Sequence, residues 1–404
     1  MTEFKDIEII GQDHKGRGIA KIDEKVIFVD RTLPGEVCDI EITKENKKFL
    51  EAKAVSFKKN LKEEVICPYY DKCGGCDILH QKYNEQLKFK ESKLKDILKK
   101  FAGIDIKLND IVFDEQFYYR NKITLHNLGL FQRKSKTPVM IDNCMLVHPK
   151  INEIIKRLQE YSKCSNNIMD EVMIRVSNQD EVLLSVVGKI TKKRFLSAFS
   201  DITVIVINNQ VFTDKDYITD KIHDKVFKIS SKSFYQVNRY VTEKLYDEVV
   251  EFYKNNNHSK VLDLYCGTGT ISLLVAPFVD YVTGIEIVSD AVINANDNKE
   301  LNKVNNVEFI NGKVEDYIDK FTNIDGIIVD PPRSGLDNKT IGNILKISPK
   351  SIVYVSCDPI TLARDLNILK DVYDIISVTP VDMFPNTYHV ESVSILKLRE
   401  NIEL

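Results

Sequence analysis

Apolar and polar positions alternate along residues 4–10, 25–29, 36–43 and 49–56, with glycines or short polar runs between them. A period of two, broken by turns every ~8–12 residues, predicts a small all-β barrel over residues 1–58. Residues 59–80 show no periodicity and read as a loop. The period lengthens over 81–102, where Leu87, Leu94, Ile97, Leu98 and Phe101 fall on one stripe and lysines fill the opposite face. That pattern predicts an amphipathic helix within a segment reaching residue 109. Residues 110–219 look mostly β, with helices expected near 148–162 and 190–200. From 220 to 404 the pattern changes again. Short apolar runs at 260–265, 281–287, 307–310, 326–330 and 351–356 alternate with helical stretches. Such alternation is the signature of an α/β fold built on a doubly wound parallel sheet.

Composition narrows the function classes only slightly. The chain has 404 residues, 57 Lys+Arg against 60 Asp+Glu, and a formal net charge of −3. That balance excludes a uniformly basic coat but not nucleic acid, which local patches hold. No apolar region of the signal-peptide kind follows the N-terminus, and no run of ~18 uncharged apolar residues occurs, so no membrane contact is expected. A cytoplasmic chain in a reducing compartment follows. Its 8 cysteines then point to metal binding or catalysis rather than disulfides.

Chemistry gathers where the last group of strands ends. Asp263-Leu264-Tyr265-Cys266-Gly267-Thr268-Gly269-Thr270 follows the first of these strands and opens a helix. Glycines there let the backbone approach a ligand, while the missing third glycine of the dinucleotide fingerprint argues against a pyrophosphate cradle. The glycines alone fit an ordinary tight turn. Glu286, at the end of the next strand, suits the hydroxyls of a ribose and turns the pair into a signal for an adenosine cofactor. Asp330-Pro331-Pro332-Arg333 and Ser356-Cys357-Asp358-Pro359 end the fourth and fifth strands. Tyr265, Glu286, Asp330 and Cys357 thus converge on one sheet edge, the edge at which open α/β sheets bind ligands. A lone cysteine is usually a small buried hydrophobe, which suits Cys266 and Cys38. Cys357 stands at the ligand edge before an Asp-Pro turn and reads as a nucleophile, with Arg333 expected to lower its pKa.

A second cluster, Cys67, Cys73 and Cys76, lies in a loop that also carries Gly74 and Gly75. Three thiols this close call for a ligand, and spacing leaves zinc and an iron–sulfur cluster both open.

The segments DLYCGTGTIS, GIEI, DPPR, SCDP and TYHVES, in this order, resemble the bacterial RNA 5-methyluridine methyltransferases that use S-adenosylmethionine. The branch most similar is the 23S rRNA (uracil-5-)-methyltransferases, and the resemblance covers nearly the whole chain. It implies a Rossmann-like class I methyltransferase domain at 220–404, an RNA-binding TRAM domain at 1–58 and a β-rich RNA-binding central domain at 110–219. It also implies that segment 81–109 packs on the methyltransferase domain. Cys357 would add to C6 of uracil, and Glu391 would remove the C5 proton after methyl transfer. His389 is a rival base, or a packing residue. Gln236, Tyr265, Glu286 and Asp330 match the family's cofactor contacts. The resemblance places a [4Fe–4S] cluster on Cys67, Cys73, Cys76 and Cys144, with Cys164 as the other candidate for the fourth ligand. The expected partner is a loop of 23S rRNA, bound by a monomer.

Two windows lack acids altogether. Residues 120–136 carry Arg120, Lys122, Arg133, Lys134 and Lys136, with His126 and Phe131; residues 185–200 carry Lys189, Lys192, Lys193 and Arg194. Cations interleaved with rings suit phosphates and a splayed single-stranded base. The plainer reading is solvated hairpin charge. Other functions compatible with the residues are a tRNA uracil-C5 methyltransferase, a non-catalytic RNA-binding assembly factor and a small-molecule C-methyltransferase.

Overall fold

The alternating N-terminal residues form strands in the computed structural model, which describes residues 3–400. These are β1 (Glu3–Glu8), β2 (Gly11–Gln12), β3 (Gly18–Ile22), β4 (Lys25–Asp30), β5 (Val37–Glu45) and β6 (Phe49–Lys59), ordered β1-β5-β6-β4-β3-β2 in one sheet. Every second side chain faces inward: Ile27 and Val29 of β4, Cys38 and Ile40 of β5, and Leu50 and Ala52 of β6 form one core with Ile9 and Ala20. Cys38 is therefore a core residue, as expected, and burial pushes its thiol up to about 11. This sheet belongs to a unit comprising Met1–Lys93, Phe131–Val139 and Phe384–His389.

The predicted amphipathic helix is α1 (Tyr83–Ala102). Its second half contributes Leu94, Ile97, Leu98 and Ala102 to the core of the other unit, against Ile327, Ile352 and Leu366. Phe101, expected on the same stripe, is 53% exposed. The buried row follows 94, 98 and 102, so the neighbouring position turns out toward solvent.

The other unit comprises Leu94–Leu130, Met140–Met383 and Val390–Leu404. Its β-rich part begins at β7 (Lys122–His126). The short strands β8 (Gly129–Phe131) and β9 (Pro138–Met140) stand where the chain passes from one unit to the other. Helix α2 (Pro149–Lys163) leads to β10 (Ile168–Val176) and β11 (Val182–Lys189). Helix α3 (Lys192–Ala198) then leads to β12 (Val204–Ile207) and β13 (Gln210–Val211), and the strands β13-β12-β11-β10-β7 lie side by side. A hairpin of β14 (Tyr217–Ile222) and β15 (Lys225–Ser230) follows, and then α4 (Val241–Lys254). The first turn of α4 is capped by Asn238, whose Oδ1 accepts from Tyr240 N and Val241 N.

The remainder is the doubly wound sheet. Strands β16 (His258–Leu264), β17 (Val279–Glu286), β18 (Val307–Asn311), β19 (Gly326–Val329) and β20 (Ser351–Ser356) are mutually parallel. They are joined by α5 (Thr270–Val275), α6 (Ser289–Leu301), α7 (Val314–Tyr317) and α8 (Asn338–Ile347), and α9 (Pro359–Leu369) follows β20. The last two strands, β21 (Tyr373–Val381) and β22 (Glu391–Leu398), depart from the parallel pattern. Strand β22 runs antiparallel to both β20 and β21 and inserts between them, in the order β18-β17-β16-β19-β20-β22-β21. Among the described residues no helix is long and apolar enough to cross a membrane.

Candidate active site

The turn after β16 shows why its glycines are there. Gly267 and Gly269 have φ of +55° and +75°, and a Cβ on Gly269 would lie 2.4 Å from Cζ of Phe309. Tyr265 takes φ 65° without being glycine, a strained conformation of the kind that clusters at functional turns. Tyr265 N and Cys266 N both donate to Ile285 O, at 2.9 and 3.2 Å. Gly267 N donates to Glu286 Oε2 at 3.1 Å, and Val288 N donates to Oε1 at 2.8 Å. The Glu286 carboxylate is thereby held beside the turn at the end of β17. The Tyr265 ring packs on the sheet core. Burial pushes its hydroxyl up to about 12, with Thr340 acting in the lowering direction.

Three carboxyl groups stand at the same end of the sheet, Asp263 and Glu391 buried and Asp330 half-buried. Asp263 accepts from Ser272 Oγ at 2.5 Å through Oδ2, while its Oδ1 is buried without a partner among the described residues. Burial raises Asp263 to about 7, and burial followed by the Asp263 charge raises Asp330 to about 7. Glu391 is 5% exposed, and burial, then Asp330, lifts it to about 8 against a smaller opposing effect of Arg333.

The register of β20 on β22 pairs Ser356 with Ser392. Cys357 follows Ser356 just past the end of β20, Glu391 precedes Ser392 as the first residue of β22, and the Glu391 charge acts on the thiol. Asp358 then caps α9 by accepting from Ile360 N and Thr361 N at 2.9 and 3.1 Å. The Cys357 thiol was expected to be lowered by Arg333. It is raised instead, to about 11, by burial first and then by Glu391 and Asp330, with Arg333 acting in the lowering direction but outweighed. At neutral pH the resting site therefore holds a protonated thiol beside a part-ionised Asp330 and a mostly protonated Glu391.

Gln236 is 6% exposed, and burial raises the hydroxyl of Tyr246 on α4, with Gln236 acting in the lowering direction. Tyr246 in turn feels the charges of Asp330 and Glu391. Sequence reasoning missed Tyr246, because on α4 it reads as one more apolar position. His389, the rival base, belongs to the other unit, where its ring centroid lies 4.3 Å from that of Tyr388.

The cysteine loop is held by its surroundings. Arg31 lies 4.0 Å over the Tyr70 ring, and the Tyr70 hydroxyl sits 2.6 Å from His80 Nδ1 and donates to Asp77 O at 2.8 Å. Gly75 N donates to Cys73 Sγ at 3.4 Å, and burial, with Cys67 adding to it, raises the Cys73 thiol. Cys67, Cys73, Cys76 and Cys144 are all half-buried, whereas Cys164 is exposed. In the other unit, Asn152 clamps Cys144 by both backbone groups, at 2.9 and 3.0 Å. The thiols are the right donors for a soft metal centre. Among the described residues, however, no group of three or more His, Cys, Asp or Glu is arranged to hold a metal ion.

The first basic window is divided by its ion pairs. Arg133 pairs with Asp77 at 3.3 Å, and Lys134 with Asp30 and Glu51 at 3.1 and 3.4 Å. Lys122 is different: burial, then Arg175 and Arg120, bring its ammonium down to about 8. Cations crowded in this way suit an incoming phosphate.

A family model described as tRNA (Uracil-5-)-methyltransferase matches residues 82–399, and one described as TRAM domain matches residues 3–55. The chain belongs to the RNA (uracil-5-)-methyltransferase family. It is a class I, S-adenosylmethionine-dependent RNA methyltransferase with an N-terminal TRAM domain, as the resemblance implied. Relatives described as uncharacterized RNA methyltransferases include one from Caldanaerobacter subterraneus, 36% identical over 98% of this chain and 98% of its own. Another, from Clostridium tetani, is 35% identical over 96% and 95%. Among solved structures, the Pyrococcus abyssi tRNA (uracil-54, C5)-methyltransferase, in complex with S-adenosyl-L-homocysteine, is 27% identical over 96% of this chain and 99% of its own, with a TM-score of 0.80.

Proposed function

We propose that this methyltransferase transfers a methyl group to C5 of a uridine in RNA through a covalent Cys357 adduct, with Glu391 as the base. What supports this reading is the β20–β22 register, whose last pair is Ser356 and Ser392, the immediate neighbours of Cys357 and Glu391. Uracil C5 is a poor nucleophile. Once the Asp330 carboxylate has taken its proton, Cys357 Sγ bonds to C6, and the electron pair of the C5–C6 double bond moves toward O4, leaving Glu391 free to act later as the base. C5 then carries the density that takes the methyl group. When bound, S-adenosylmethionine supplies that methyl on a positively charged sulfur. Glu391 removes the proton left on C5, the C6–S bond breaks, and the thiolate recovers a proton. The thiol proton is thus borrowed and returned, and the C5 proton is the one released. In this reading Glu286 takes the ribose hydroxyls, Gln236 and Tyr265 flank the ligand, and Asp330 faces the sulfonium. The buried, unpartnered Asp263 Oδ1 and the glycine turn fit a ligand at this edge.

The test is a denaturing gel with labelled RNA. The Glu391→Ala protein should accumulate a protein–RNA adduct, and Cys357→Ala should form none and methylate nothing. Methylation by Cys357→Ala would end the covalent mechanism.

For the RNA we propose 23S rRNA, on the motif resemblance, with the protein acting as a cytoplasmic monomer. A tRNA substrate is the second reading. It is favoured by the Pyrococcus abyssi tRNA enzyme, whose match spans nearly the full length of both chains, so an N-terminal TRAM domain does not separate the two. Methylation assays on each RNA decide, and product on tRNA alone would sink the ribosomal reading. We further propose a [4Fe–4S] cluster on Cys67, Cys73, Cys76 and Cys144. Iron and sulfide in anaerobically purified protein support it; a colourless protein carrying zinc overturns it.

A further inference from the structure

Gln236 is held by residues that lie outside the turn after β16. Its backbone carbonyl accepts from Asn121 Nδ2 at 3.1 Å, and its side chain lies near enough to the buried Tyr246 hydroxyl to oppose the rise of that group's pKa. The next carbonyl, Val237 O, accepts from Asn121 N at 2.8 Å, and Arg239 N donates to Tyr119 O at 3.0 Å. Asn121 is only 4% exposed, and its own carbonyl accepts from Val176 N at 2.9 Å. Asn121 and Gln236 both line a polar cavity of about 20 Å³, room for one water, and Asn121 Oδ1 has no protein partner among the described residues. The residue that follows Asn121 is Lys122, the crowded cation that opens β7.

We propose that Asn121 and Tyr246 are positioning residues for Gln236, and that Asn121 ties the 236–238 segment to the strand that carries Lys122. The proposal rests on reading Gln236 as a cofactor contact. Neither residue touches the reacting atoms. Asn121 fixes the Gln236 backbone through one side-chain and one neighbouring main-chain bond, and Tyr246 fixes the amide from α4. With both in place, Gln236 is already oriented before the cofactor arrives, and less ordering is left to oppose binding.

Three variants test it: Tyr246→Phe, which removes one oxygen and keeps the buried ring; Asn121→Asp, which keeps the size but turns the donor facing Gln236 O into an acceptor; and Gln236→Ala. Calorimetry with S-adenosylhomocysteine reads Kd without activity, steady-state kinetics read KM for S-adenosylmethionine against kcat, and thermal melts report folding. Each of the first two is expected to weaken S-adenosylhomocysteine binding about tenfold, the scale of one lost hydrogen bond. KM should rise accordingly, with kcat at saturating cofactor nearly kept and the melt close to wild type. Combined with Gln236→Ala, neither should add a further loss. Additive losses, or unchanged Kd in folded Tyr246→Phe and Asn121→Asp, overturn the positioning role. An unchanged Kd in Gln236→Ala itself overturns the cofactor reading of Gln236, and the positioning role with it.

Discussion

Glu391 is the largest charge acting on Cys357, and it pushes the thiol up rather than down. The two residues adjoin the Ser356–Ser392 pair, the last of the antiparallel β20–β22 register. A nucleophile kept protonated beside a buried carboxyl is quiet until substrate arrives. In the free enzyme Cys357 should therefore alkylate slowly at about pH 9, a pH at which Glu391 is ionised. Glu391→Gln removes the charge and should speed modification of Cys357, mapped by mass spectrometry. An unchanged rate would show that the charge does not act on the thiol.

Glu391 also links stability to pH. Its folded pKa is about 8 against an ordinary 4.5. As pH rises between these values the unfolded chain sheds the proton first, so stability falls across the window and levels off above it. Glu391→Gln escapes this loss. Its melting temperature should match wild type near pH 4.5 and exceed it near pH 8. A variant less stable than wild type at the higher pH would contradict the burial of an uncompensated carboxyl.

Asp330, raised to about 7 by burial and by Asp263, should make cofactor affinity depend on pH. Below its pKa the group is neutral and offers a sulfonium nothing; above it the carboxylate attracts the cation. Affinity for S-adenosylmethionine should rise between about pH 6 and 8, while that for the uncharged S-adenosylhomocysteine rises less. Calorimetry across that range measures both. Parallel curves would remove Asp330 from the neighbourhood of the sulfur.

Gly269→Ala places a methyl 2.4 Å from the Phe309 ring at a φ of +75°. Overpacking and backbone strain together should cost ~1–3 kcal/mol and abolish cofactor binding by moving the turn. A second substitution, Phe309→Ala, relieves the clash but not the φ, so the double variant should recover only part of the melting temperature. Full recovery would mean that the left-handed backbone carries no cost.

Lys122→Ala should weaken RNA binding and lower the slope of log affinity against log salt by about 1, the mark of one phosphate contact. S-adenosylhomocysteine binding should stay at the wild-type value. Filter binding over a salt series tests it, and an unaltered slope would leave Lys122 the plainer role of a half-buried β-strand cation.

Much of this was legible in the chain because it is local. Period-two alternation named the N-terminal strands, and α1 was found from its stripe, with Phe101 misplaced because Ala102 takes the buried row. The glycine turn and the ends of β16, β17, β19 and β20 followed from short apolar runs bounded by turn residues, a pattern written within each segment. The same locality explains why Tyr265, Glu286, Asp330 and Cys357 could be set on one edge before any contact was known.

The rest depended on partners distant in sequence. The pattern of β22 states that it is a strand, but nothing in it says that it runs antiparallel and inserts between β20 and β21, which is what brings Glu391 to Cys357. The direction of the thiol pKa was misread for the same reason: Arg333 was visible as a nearby cation, whereas desolvation and two carboxyl groups are properties of the packed sheet edge. Tyr246 has no motif to announce it, and Arg133 and Lys134 looked like free cations until Asp77, Asp30 and Glu51 were found beside them. Sequence alone determined which groups this protein carries and at which strand ends they stand. Tertiary structure decided which of them share a buried volume, because register and dielectric arise only when distant segments pack together.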